Sequence, residues 1–317
     1  MINFRFLYRG LCGLANSPRA NSMAGHLGAA VVAGYFFGEN HPDLEDEVVA
    51  AIQADLVSIT GGGETIWFNP QKAGVTAREL FKPFPEKTSE QASVDKIAEA
   101  LKGSLGILRQ SGHNVIFSSI AIRALKDHPE YATRDIVGGI TELISSFKNQ
   151  HPGRGYYGRE KGWVGGNEAA MVDQKSTPPY ESLGEMVETI IDELINSAPE
   201  HRRGFGGLFH LINHAAALIE LDRYGYGGLA KTGLKGHHQH LRLYRALPDL
   251  ELELGKLKNA GESPFDPAYW KRQESGQWGA WLTHRIKTLY GFHTLIRFVK
   301  DPIKRNKAND AFGYLLA

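Results

Sequence analysis

At 317 residues, with 42% hydrophobic and 22% charged residues, the chain is long enough to bury a sizeable core, as one large domain or two smaller ones. A net charge of +1 leaves no global field to draw nucleic acid or a membrane surface, and no apolar run approaches a membrane span. The single cysteine, Cys12, excludes an intramolecular disulfide and a thiolate zinc site, and the composition suits a cytoplasmic, reducing setting.

Residues 1–20 carry Arg5 and Arg9 ahead of a short apolar stretch. That stretch is shorter than a signal peptide wants, and Pro18 and Arg19 interrupt the chain just beyond it, so it reads as part of the mature protein. Residues 26–37 are apolar on every side, which predicts a buried helix ended by the turn at His41-Pro42. In 43–59, Leu44, Val48, Ile52, Leu56 and Ile59 fall at helical spacing, and acidic residues crowd the first turn, where the helix dipole favours them. Gly61-Gly62-Gly63 breaks the pattern. A loop punctuated by Pro70, Pro83 and Pro85 comes next, with a short strand expected at 65–68. An amphipathic helix is expected over 93–109. A second all-round apolar helix starts after Gly112-His113, and an amphipathic helix over 132–147 comes after His128-Pro129.

Residues 150–181 read as a long functional loop, too rich in tyrosine and tryptophan for a disordered segment. An amphipathic helix over 182–195 comes next, then a nearly all-apolar one over 208–221. Residues 222–236 are glycine-rich and read as a turn region, with a helix starting at His237. Two last helices are expected over 278–299 and 303–316, the former open to a break at Gly291.

The frame Gly-His, apolar helix, His-Pro, amphipathic helix occurs twice, at His26/His41 and at His113/His128, 87 residues apart. All-round apolar helices alternating with amphipathic ones predict one all-α domain over 1–317. Its repeated αα-hairpins would lie in two layers, closed into an α/α-toroid or α-barrel. No motif selects a family within that architecture. There is no phosphate loop, no dinucleotide-binding glycine motif between a strand and a helix, and no Gly-x-Ser-x-Gly elbow.

The candidate chemistry lies in the histidines. His210 and His214 stand one turn apart on one helical face, as do His237 and His240, which is how helices supply two nitrogen ligands. His26 and His113 open the apolar helices, whereas His41 and His128 read as turn residues. Trp67, Tyr156, Tyr157, Trp163, Trp278 and Trp281 are candidate walls of a cavity, and Glu64, Glu160, Glu168 and Asp173 candidate carboxylates beside it. The expectation is an enzyme of hydrolase or lyase type, acting on a small polar, sugar-like molecule in a central cavity. His113, His26, Glu168 and Tyr157 are the expected catalytic groups. Trp163, Tyr156, Arg159 and Trp67 are the expected substrate contacts, and His210, His214, His237 and His240 the ligands of a divalent metal, zinc or iron. A metal-dependent oxidoreductase and a non-catalytic helical-repeat scaffold are the competing expectations. A small-molecule substrate is the expected partner, without nucleic acid or membrane.

Overall fold

The computed structural model describes residues 1–84, 92–271 and 279–317. Pro85 and Trp278 fall outside the described residues. Among those described the chain is mostly helical, with one two-stranded sheet. No helix among them is long and apolar enough to cross a membrane. The first helices are α1 (Arg5–Asn16), α2 (Gly25–Asn40), α3 (Asp46–Gly61), α4 (Asp95–Lys102), α5 (His113–Asp127) and α6 (Arg134–Ser145). Strands β1 (Arg154–Tyr156) and β2 (Trp163–Gly165) come next, then α7 (Leu183–Ser197), α8 (Gly207–Arg223), α9 (Gly227–Arg245), α10 (Trp281–Ile296) and α11 (Pro302–Phe312). The backbone divides into two compact units of three segments each. Unit one is Met1–Gly103, Phe117–Phe147 and Glu262–Tyr290, and unit two is Ser104–Ile116, Lys148–Gly261 and Gly291–Ala317.

In unit one, α2 is buried on all faces except its last turn, as its composition requires. It packs on α1 and α3, and α1 also packs on α6. The α1–α6 approach is close enough that a Cβ on Gly139 would overlap the Ala15 carbonyl. Helix α3 buries Val48, Ile52, Leu56 and Ile59 and stops at Gly62, whose φ of 89° no β-carbon-bearing residue adopts cheaply. The two His-Pro turns share one backbone geometry, with His41 at φ −132°, ψ 70° and His128 at φ −131°, ψ 71°. Both lie outside the helical region, which a proline disfavours for its predecessor.

Five expected elements differ. Residues 65–68 form a turn, because the Trp67 indole N–H bonds back to Glu64 (2.8 Å) and no strand pairs with them. Helix α4 stops at Lys102, well short of 109. Gly106 adopts φ 84°, and Leu108 N–H donates to the Gln239 side chain at 2.9 Å. The 150–181 stretch contains the antiparallel hairpin β1–β2, in which Tyr156 faces Trp163. Helix α9 begins at Gly227, ten residues before the expected start, and α10 runs unbroken through Gly291.

In unit two, α8 and α9 pack together, α7 lies against both, and α11 packs on α7. The side chain of Leu218 fills the space that Gly233 leaves open between α8 and α9.

Candidate functional site

Helix α8 presents His210 and His214 one turn apart, and α9 presents His237 and His240 toward them. His113, the first residue of α5 and a member of unit two, completes a group of five buried histidines. The His113 and His210 rings meet edge to face at 4.5 Å. His214 lies 4.9 Å from His237 and 5.7 Å from His240, centre to centre. Neutral imidazole nitrogen has the donor chemistry of a metal site.

Backbone carbonyls assign the tautomers, because a carbonyl only accepts. His240 Nε2 lies 2.7 Å from Phe205 O and therefore carries the proton, leaving a lone pair on Nδ1. His214 Nδ1 faces that atom at 3.4 Å, so it donates, and the lone pair of His214 sits on Nε2. His237 Nε2 donates to Leu211 O at 3.1 Å, which leaves its lone pair on Nδ1. His210 Nδ1 donates to Ser111 O at 3.2 Å. His214 Nε2 and His237 Nδ1 are buried with no hydrogen-bond partner among the described residues. Two buried acceptors of the cluster thus have nothing among the described residues to accept from. Natural interiors rarely leave such atoms unsatisfied without a reason.

Burial keeps these rings neutral. It pushes His237 down to about 3 and His240 to about 4, with the neighbouring His240 adding to the shift at His237. His214 falls well below the ordinary value through burial first and the surrounding histidines second. Neutral imidazole is the form that binds metal or accepts a proton.

The backbone around the cluster is strained. Among the described residues, the non-glycine positions with positive φ are Gln110 (40°), Ser111 (56°) and Phe205 (47°). Two of them supply the carbonyls that hold His210 and His240. Such conformations cost on the order of 1 kcal/mol or more each and gather at functional sites. Gly112 (φ 84°) and Gly206 (φ 75°) adjoin them, and a Cβ at either would collide with the ring of His214 or His210. Sequence reasoning missed Ser111, Phe205 and Leu211, which act through their main chain. The available signal was glycine, in Gly112 and in Gly204-Phe205-Gly206-Gly207, set directly before histidine-bearing helices.

The hairpin joins the same strained turn. Phe205 N–H donates to Arg154 O and Tyr156 N–H to Arg203 O, both at 2.8 Å. Tyr156 OH donates to Glu253 at 2.6 Å, and the same carboxylate accepts from Arg159 N–H at 3.0 Å. Trp163 is 44% exposed, with the guanidinium groups of Arg154 and Arg203 4.6 and 5.6 Å from its ring centre. Tyr156, Arg159 and Trp163 are therefore brought together around Glu253. Tyr157 buries its hydroxyl without a partner and has Lys161 over its ring at 4.6 Å. Glu160, Glu168 and Asp173 are exposed.

Unit one carries further buried polar groups. His26, the second residue of α2, stacks on Trp67 at 3.6 Å with the rings 9° from parallel. Glu64 accepts from the Trp67 indole and, at 3.3 Å, from Thr283 N–H. His284 lies 5.0 Å from His26 and bonds Ala280 O through Nδ1 at 2.8 Å. Lys287 is fully buried and hydrogen-bonded to His26 Nδ1. Thr283, His284 and Lys287 were not singled out from sequence, and Trp281 is a buried residue of α10 beside Arg285. No protein-family model, curated protein or solved structure matches the chain.

Proposed function

We propose that the protein is an enzyme of hydrolase or lyase type, acting on a small polar, sugar-like molecule at the histidine cluster of unit two. The observation that supports it is the pair of buried lone pairs on His214 Nε2 and His237 Nδ1. Each is fixed in place by a tautomer that a neighbouring group dictates. A divalent cation, zinc or iron, would satisfy both. The Leu211 carbonyl and the His240 ring, which hold the opposite nitrogens of His237 and His214, would do what outer partners of metal-bound histidines generally do. His113 and His210 would then carry protons beside the metal. Tyr156, Arg159 and Trp163 offer rings and a cation to a hydroxylated substrate.

Elemental analysis of purified protein tests this. One equivalent of zinc or iron is expected, lost in His214→Ala and His237→Ala while circular dichroism keeps the helical signal. No metal in any preparation, including one dialysed against each ion, removes the metal from the reading. Turnover that survives His113→Gln would remove the proton-transfer role. Iron with a redox-active absorption band would instead favour an oxidoreductase. The exposed Trp163 between two arginines supports a binding-only scaffold, which intact metal without turnover would favour.

A further inference from the structure

Unit one carries a buried amine that the histidine cluster does not use. Its other buried cations have carboxylate partners. Arg123 pairs with Glu39 at 3.2 Å, and Arg285 with Asp55 at 2.5 Å. Lys287, on α10, has an imidazole instead, and among the described residues no carboxylate is ion-paired with it. Glu64 is close enough to act on it electrostatically, but its two oxygens already accept from Trp67 and Thr283. Aromatic faces complete the surroundings, with Nζ 5.8 Å from the Trp67 ring centre and 6.0 Å from that of Phe117.

An amine buried this way loses the water that stabilises its charge. Desolvation pushes Lys287 down to about 7, against the weaker opposing pull of Glu64. A far larger share of molecules then holds a neutral Nζ near neutral pH than at an ordinary surface lysine, which is almost wholly protonated. Trp67 lies over the His26 side of the pair. Trp67 is half-buried on the loop after α3, and its neighbour Ile66 is 59% exposed. One indole therefore roofs the His26 ring.

We propose that Lys287 is a nucleophile that condenses with the carbonyl group of a small hydroxylated aldehyde or ketone to form an imine, with His26 as the proton carrier. The Nζ lone pair forms a bond to the carbonyl carbon as the C=O π pair moves to oxygen. His26 Nδ1 takes a proton from nitrogen and delivers it to that oxygen. A second proton leaves nitrogen as the hydroxyl departs, so one amine and one carbonyl give one imine and one water. No electrons change hands. A neutral lysine in a low-polarity setting is the form such chemistry requires. Its test reads the labelling of an amine and not metal content, so its failure is distinguishable from failure of the metal reading in unit two.

The test is reductive trapping on the intact protein. Glycolaldehyde is added with cyanoborohydride at pH 7, and tryptic peptides are mapped by mass. Lys287 is expected to be labelled at least about ten-fold faster than surface lysines, whose amines are protonated at that pH. The preference should vanish near pH 10, where surface amines become neutral. His26→Gln should slow labelling at Lys287 and leave the surface lysines unchanged. Labelling of Lys287 no faster than that of surface lysines at pH 7 would overturn the proposal without recourse to any variant. An unchanged rate in His26→Gln would overturn the role of His26.

Discussion

His237 and His240 titrate far below an exposed histidine, at about 3 and about 4, because burial penalises the imidazolium. As pH falls through about 6.5 the unfolded chain binds a proton at each position, whereas the folded chain does so only near 3 to 4. Their folded pKa values are depressed, so the stability they carry is fully present above about 6.5 and is lost as pH falls through that window. Each costs about 1.4 kcal/mol per pH unit below 6.5, so the two together should remove on the order of 4 kcal/mol between pH 7.5 and 5. The urea midpoint measured across that range checks it, and His237→Gln should flatten the slope by one proton. A midpoint indifferent to pH would mean that these rings already carry charge in the folded state. Residue type and helical spacing make His210, His214, His237 and His240 visible in the sequence, because paired imidazoles on one helix face are uncommon. Lys287 has no such mark. A lysine in a helix that also carries Thr283, His284 and Arg285 reads as solvated, and only the surroundings supplied by Trp67, Glu64 and His26 make it unusual.

Helix α2 is legible because apolar residues on every side leave no wet face to expose, and its observed burial matches. Helix α9 is legible only in its second half. Its glycines read as turn formers, yet here they permit close packing, with Leu218 occupying the space a side chain at Gly233 would take. The hairpin at 154–165 escapes because its strands are three residues long and glycine-bearing, so no alternating pattern has room to develop. Two neighbouring glycines of α6 separate the propensity of glycine from its packing role. A Cβ on Gly138 would meet nothing within 4 Å, whereas one on Gly139 would overlap the main chain of Ala15. Gly138→Ala should therefore raise stability by about 0.5–1 kcal/mol, as for an exposed helical glycine. Gly139→Ala should lower it by about 1–3 kcal/mol, since the obstruction is backbone and cannot rotate away. Denaturant titration of the pair checks both signs. Equal effects would mean that α1 and α6 can separate without penalty.

Neither compact unit is a continuous stretch of chain, and this decides how the histidine cluster can be assembled. Residues 148–261 contain α7, α8, α9 and the hairpin, yet unit two also needs 104–116 and 291–317. The first of these brings His113 and the Ser111 carbonyl that fixes His210. The second brings α11 onto α7, whose buried residues include Ile190 and Leu194, and stacks Phe312 on Phe292 at 3.9 Å. A fragment of residues 148–261 would expose the face of α7 under α11 to water and leave the His210 Nδ1–H without its carbonyl. Exposing buried apolar area at roughly 25 cal/mol per Å² is enough to consume the marginal stability of a small domain. The fragment should therefore melt without a cooperative transition, whereas the full chain should melt with one, as monitored by circular dichroism on heating. A sharp transition in the fragment would mean that α7, α8 and α9 form a core without α11. In that case His113 and Ser111 would be additions to a self-sufficient histidine pair of helices. If instead the fragment collapses, the cluster exists only when residues as far apart in the chain as Ser111 and His210 have come together, and folding of unit two and assembly of its site are one event.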